Sequence, residues 1–161
     1  MDLSIERLRD EEQAAAETCA RMMSETEPWI TLGRKYPECL DVVRDRFAET
    51  YVARLGGQVV GFVVLMMHGA LPGYIRSVCV RADQRGGGIG KALMHFAEDR
   101  IFSERPNVFL CVSSFNTGAQ RLYLQLGYKQ VGELADYLVA GHSELLMRKT
   151  RGPHARTARN R

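Results

Sequence analysis

Residues Arg85-Gly86-Gly87-Gly88-Ile89-Gly90-Lys91 are the stretch of this 161-residue chain best suited to chemistry. A strand-like run, Tyr74-Ile75-Arg76-Ser77-Val78-Cys79-Val80, precedes them, and a helical pattern with Leu93, Phe96, Ala97 and Ile101 on one face follows. A glycine-rich turn between a strand and a helix start is an anion site. Glycine lets the backbone approach a ligand closely and adopt positive φ. The unpaired N–H groups of the first helical turn then point at the ligand, and the helix dipole favours negative charge. A pyrophosphate is the natural ligand for such a loop.

Two common phosphate motifs fail here. A P-loop reads GxxxxGK followed by Ser or Thr; Arg85 stands in place of the first glycine and Ala92 in place of the hydroxyl residue. A dinucleotide fingerprint needs a third glycine where Leu93 stands, and needs to lie in an early βαβ unit. The spacing that fits is Arg-x-x-Gly-x-Gly, from Arg85 through Gly88 to Gly90. It resembles the acyl-CoA loop of the GNAT superfamily of N-acetyltransferases. A second segment, from Asn116 through Ala119, Leu122, Tyr123, Leu126 and Gly127 to Tyr128, resembles that family's Asn-x-x-Ala-x-x-Leu-Tyr-x-x-Leu-Gly-Phe segment, with Tyr in place of Phe. The two motifs follow in the family's order.

The resemblance implies acetyl-CoA as co-substrate, no metal, and direct transfer of the acetyl group to a primary amine. It implies that Arg85, Gly86, Gly87, Gly88, Ile89, Gly90 and Lys91 bind the phosphates. It also implies that the strand edge at Val78, Cys79 and Val80 pairs with the pantetheine amides, with a backbone N–H near Val80 polarising the thioester carbonyl. Tyr123 matches the family position for the acid that protonates the leaving thiolate; the alternative role is aromatic packing. Asn116 binds the cofactor or caps its helix, and both readings stay open, as do an exposed loop charge for Arg85 and a solvated helical position for Lys91.

The base is the weak point. One branch of the family, the ribosomal-protein N-terminal acetyltransferases, carries a glutamate where this chain has Cys111, with Ser113 close behind. The strand from Tyr74 to Val80 offers no carboxylate. Glu27, in the loop between the first two helices, is the acidic residue expected to border the acceptor site. Trp29 beside it is expected to cradle an amine by cation–π contact or else to anchor the core. Tyr74, His68 and a water chain remain open as alternatives.

The elements that must position these groups follow from patterning. Leu3, Ile5 and Leu8 indicate a first strand, and a helix from Glu11 to Met23 has Cys19 and Met23 on its apolar side. Pro28 breaks that helix. A second helix is expected to reach Phe47, with Leu40, Val43 and Phe47 inward. Two strands, Glu49 to Leu55 and Gln58 to Met67, flank a Gly56-Gly57 turn. The glycine-loop helix runs to about Glu104, and Val108 to Val112 is an apolar strand. A short helix capped at Asn116 or Thr117 ends at Gly127. Tyr128 to Val139 and Ser143 to Lys149 form a last pair of strands. The order βααβββαβαββ is α+β. The resemblance implies a GNAT fold: a mixed, mostly antiparallel sheet of about seven strands with about four helices, splayed between the fourth and fifth strands.

Composition fits one globular enzyme domain over residues 1–150: 45% of residues are hydrophobic and 25% charged. No apolar run is long enough to span a bilayer, and the N-terminus lacks the basic and apolar regions of a signal peptide. Cys19, Cys39, Cys79 and Cys111 show no CxxC spacing and are expected as buried free thiols in a cytoplasmic protein. The net charge of +3 owes its sign to Arg151, Arg156, Arg159 and Arg161. Residues 151–161 hold no acid, no aromatic and no apolar periodicity, so a disordered basic tail is expected there and nucleic-acid binding is disfavoured. The expected partners are acetyl-CoA and an amine acceptor, with no membrane; a homodimer is left open. The competing function is a non-catalytic acyl-CoA-binding or regulatory module on the same fold.

Overall fold

The computed structural model describes residues 2–155. Seven strands and four helices run in the order β1 (Leu3–Arg7), α1 (Gln13–Ser24), α2 (Tyr36–Val43), β2 (Glu49–Leu55), β3 (Gln58–Met66), β4 (Tyr74–Val80), α3 (Ile89–Phe102), β5 (Asn107–Ser113), α4 (Thr117–Gln125), β6 (Lys129–Leu134) and β7 (Glu144–Thr150). The strands form one sheet in the order β1-β2-β3-β4-β5-β7-β6. Every neighbouring pair is antiparallel except β4 with β5. This is the expected α+β, mixed, mostly antiparallel GNAT architecture.

The sheet is sandwiched between two helical layers. β3 is central and nearly all apolar, so it is buried on both faces. Its Val63 and Leu65 pack with Leu93, Met94, Ala97 and Ile101 of α3. Its Phe62 and Val64 face the opposite side, against Cys19, Ala20 and Met23 of α1 and Cys39 and Val43 of α2. The period-2 alternation of the strand assigns each residue to one layer.

The parallel pairing of β4 with β5 is short. Only Tyr74 with Phe109 and Ile75 with Leu110 are in register. Directly after this, the β3–β4 ladder skips Arg76: Leu65 faces Ile75, and Val64 faces Ser77. A bulge of this kind bends a strand and increases its local twist. Beyond Arg76 the two strands therefore diverge, which is the expected splay. β5 turns instead to β7 along its whole length, from Asn107 opposite Thr150 to Ser113 opposite Glu144.

Three expectations are corrected. Helix α2 ends at Val43, with Arg44 as its C-cap, so the helical projection that turned Phe47 inward does not apply; Phe47 is 70% exposed and lies under the Arg46 guanidinium. Strand β6 stops at Leu134 rather than Val139, and a loop reaches β7. Cys111 is half-buried, because it lies beyond the last β4–β5 pair and faces the gap, while the other three thiols are buried. At the C-terminus, the Arg151 N–H donates to the Pro106 carbonyl at 2.8 Å, and its guanidinium lies 4.0 Å from the Phe102 ring centroid. The remainder of the expected tail, residues 156–161, lies outside the described residues.

Candidate active site

The gap between β4 and β5 opens as two clefts, one toward the glycine loop and one toward the β6–β7 loop. Pro28, Trp29, Val78, Asn116 and Tyr123 line both. A molecule seated in one therefore reaches the other at these side chains.

The first cleft, about 320 Å³, is walled by Val78, Cys79 and Val80 of β4, by Gln84, Arg85, Gly86, Ile89 and Gly90 of the loop, and by Ala119, Leu122 and Tyr123 of α4. Gly88 is the N-cap of α3 at φ +84°, and no side chain caps the helix. Gly86 is also left-handed, at φ +81°. A Cβ added at either would meet no atom within 4 Å, so the loop wraps open space rather than protein. Uncapped N–H groups, a helix dipole and an open cradle fit a pyrophosphate. Beyond Arg76 the β4 edge has no strand on the β5 side, which leaves backbone groups for an amide-bearing arm.

Arg85 is exposed. Its Nε donates to the Val80 carbonyl at 3.2 Å, and a terminal N–H donates to Thr26 Oγ1 at 3.2 Å. It ties the loop to the end of β4 and to the segment after α1. Gly87 and Gly88 are exposed on the loop, and Lys91 is exposed in the first turn of α3, outside the lining of both clefts.

Tyr123 stands on α4 where the clefts meet. Burial pushes its hydroxyl up to about 12, and among the described residues no hydrogen bond holds that hydroxyl. Its ring lies 6.0 Å from that of Tyr128, edge to face. Asn116 caps α4, its Oδ1 accepting from the Ala119 N–H at 3.3 Å. It lines both clefts as well, so the two roles proposed for it are compatible.

Glu27 is exposed on the rim of the glycine-loop cleft. Its two carboxylate oxygens accept from the backbone N–H and the hydroxyl of Thr31, at 3.1 and 3.0 Å. Trp29 is half-buried, packed against the α1–α2 layer and bordering both clefts. His68 lies away from both clefts, its ring nitrogen 3.1 Å from the Arg105 guanidinium.

The second cleft, about 290 Å³, contains a carboxylate that patterning missed. Glu144 opens β7 and is 4% exposed. The Ser113 hydroxyl donates to its Oε1 at 2.6 Å. Burial raises its carboxyl above the ordinary range, partly offset by that hydrogen bond and by His142. Tyr74, Cys111 and Tyr137 line the same cleft. Burial also raises the Tyr74 hydroxyl, with neighbouring Cys111 adding to it. The signal available in the sequence was an acid directly before an apolar run, Glu144-Leu145-Leu146-Met147. It reads equally well as a solvated strand end until the register places it opposite Ser113.

Over residues 6–128 the chain matches the Acetyltransferase (GNAT) family, and it belongs to that family. It is 32% identical over 123 residues to an uncharacterized N-acetyltransferase of Methanocaldococcus jannaschii, covering 75% of this chain and 71% of the relative. It is 31% identical over 134 residues to the N-alpha-acetyltransferase of Sulfurisphaera tokodaii, covering 73% of this chain and 80% of that one. An aminoglycoside 6'-N-acetyltransferase complexed with coenzyme A shares the fold, with a TM-score of 0.74 at 17% identity, over 97% of this chain and 100% of that one. The chain is thus an acetyltransferase enzyme, and acetyl-CoA is its co-substrate. Among the described residues no cluster of His, Cys, Asp or Glu could hold a metal ion, and no helix is long and apolar enough to cross a membrane.

Proposed function

We propose that this protein transfers the acetyl group of acetyl-CoA directly to a primary amine. The observation that carries the reading is the pair of clefts meeting at Val78, Asn116 and Tyr123. Direct transfer needs donor and acceptor to approach from opposite sides of one opening in the sheet, and proximity of that kind supplies much of the rate.

The glycine loop with Arg85 takes the phosphates, and the free β4 edge at Val78, Cys79 and Val80 takes the pantetheine arm. The thioester then lies at the junction. Tyr123, protonated at neutral pH, donates a proton or hydrogen bond to the departing sulfur. Trp29, which borders both clefts, faces the entering amine, and the carboxylate of Glu27, on the rim of the glycine-loop cleft only, attracts amines from solvent at long range. The N-alpha-acetyltransferase of Sulfurisphaera tokodaii supports protein or peptide N-termini as one acceptor class. Free thiols and the absence of a membrane-spanning helix among the described residues support a cytoplasmic setting. The free edge strand β6, with exposed Val131 and Leu134, supports a homodimer, which light scattering tests.

The test is thiol release from acetyl-CoA with a panel of phenethylamine, spermidine, lysine and a hexapeptide with a free N-terminus. Amine-dependent release with formation of the acetylated amine is the expected result. Tight acetyl-CoA binding with no release for any of the four would support a non-catalytic acyl-CoA module instead.

A further inference from the structure

We propose that Glu144, held by Ser113, receives the acceptor's ammonium group and takes its proton before transfer. The proposal rests on the acetyl-transfer reading above and names the base within it. Four observations carry it. Glu144 is 4% exposed, yet it lines the acceptor-side cleft. Its Oε1 is held by the Ser113 hydroxyl at 2.6 Å. Its Oε2 has no hydrogen-bond partner among the described residues, and it is not one of the occluded buried oxygens, which are confined there to Glu98 Oε1 and Tyr128 O–H. A buried carboxylate with one oxygen fixed by the protein and the other open to a cleft is placed to accept from a donor that enters that cleft. An ammonium supplies both the charge and the N–H groups.

The surroundings fit that role. Ser113 faces Glu144 across the β5–β7 ladder, and Leu134 faces it from β6. Cys111 neighbours it on the adjacent strand β5 and Tyr74 on β4, Tyr137 borders the same cleft, and His142 lies on its own loop. His142 is the one basic group among these; Arg34 and Arg76 also line the cleft, with Arg76 paired to Asp45 at 2.7 Å, and among the described residues no salt bridge joins a guanidinium or lysine to Glu144. Burial keeps its carboxyl above the ordinary range, which brings a base closer to neutral operating pH. Glu27, by contrast, is exposed and has both oxygens engaged by Thr31.

The step balances. Glu144 Oε2 takes one proton from the acceptor ammonium and later releases it to solvent. The freed nitrogen pair forms the C–N bond as the C–S bond breaks with its electron pair on sulfur. The second nitrogen proton ends on that sulfur through Tyr123 or water. Ammonium plus thioester gives amide, thiol and one proton.

Glu144→Gln keeps the shape and the acceptor oxygen for Ser113, and Glu144→Asp keeps the charge. Transfer to whichever panel amine reacts best is measured against pH for wild type and both variants, with acetyl-CoA affinity read by calorimetry as the folding control. The expected result is a loss of about 10²-fold or more in kcat/KM for the amine in Glu144→Gln. Acetyl-CoA affinity should stay within about twofold. The acidic limb of the wild-type profile, set by Glu144, should vanish, and Glu144→Asp should regain part of the rate with the limb restored. If Glu144→Gln transfers at the wild-type rate with the limb unmoved, the assignment is overturned while the enzyme reading stands. A wild type that binds acetyl-CoA and transfers to none of the four amines overturns both. Loss of acetyl-CoA affinity in both variants in parallel with rate assigns Glu144 to structure and also overturns the assignment.

Discussion

A Cβ built on Gly73 would lie 2.3 Å from the carbonyl oxygen of Asn107, and Gly73 sits at φ +90°. Its own carbonyl accepts from the Phe109 N–H at 2.9 Å. The start of β4 thus meets β5 backbone to backbone, immediately before the two strands part. Gly73→Ala should introduce both the clash and left-handed strain, destabilising the fold by about 2 kcal/mol or more. Chemical denaturation checks it; a midpoint unchanged from wild type would show that the contact relaxes freely.

The cofactor loop is better probed at Gly90 than at Gly88. Gly88 is left-handed, so a side chain there strains the loop whether or not a ligand binds. Gly90 is not left-handed, and a Cβ there meets its nearest neighbour, Val80 Cγ2, at 3.6 Å. Gly90→Val should leave the fold intact and weaken acetyl-CoA by at least about tenfold, or ~1.4 kcal/mol. Calorimetric titration of the folded variant gives the answer, and unaltered affinity would remove this loop from the donor site.

Tyr123→Phe retains the ring packed toward Tyr128 and removes only the hydroxyl, which has no hydrogen-bond partner among the described residues. Because burial pushes that hydroxyl up to about 12, wild type keeps its proton throughout the neutral range. A missing general acid costs ~10²–10⁴-fold in rate, and a thiolate is a tolerable leaving group, so the low end is expected. The deficit should fall on kcat, with acetyl-CoA affinity retained, and should grow toward high pH. Equal kcat in variant and wild type from about pH 7 to about pH 9 would leave Tyr123 with packing alone.

Glu27→Gln separates the rim from the buried carboxylate. With both oxygens occupied by Thr31 and the side chain in solvent, the attraction proposed between Glu27 and amines is a long-range one. The variant should raise the amine KM by a few fold at low salt and lose that effect at high salt, as screening predicts. A pH–rate profile that loses its acidic limb would instead make Glu27 the base.

Glu144 also makes a stability prediction. Its carboxyl is raised in the folded protein from the ordinary 4.5. The folded state therefore holds the proton more tightly than the unfolded state. The resulting stabilisation is complete below the unfolded value and is lost as pH rises through the folded one. Glu144→Gln should remove this term, so the Tm of the variant relative to wild type should rise between about pH 4 and about pH 8. Melting curves that run parallel at all pH values would contradict the raised carboxyl.

The local parts of this protein were legible in its sequence. Arg85, Gly88 and Gly90 between an apolar strand and a helical stripe mark the glycine turn that opens α3, and the structure has that turn with Gly88 left-handed at the helix N-cap. The period-2 and helical repeats placed most strands and helices to within a few residues. Phe47 escaped because a helical projection was carried past the residue where α2 ends, and the C-cap there has no glycine to mark it. The Glu144 carboxylate escaped for a different reason. Its burial, its bond to Ser113 and its place opposite the β4 gap depend on β7 inserting between β5 and β6. That pairing joins Ser113 to a residue far along the chain, and no local pattern encodes it. Sequence spacing set which residues form the glycine loop; the register of β5 with β7, and the Arg76 bulge that parts β4 from β5, decided which groups line the second cleft.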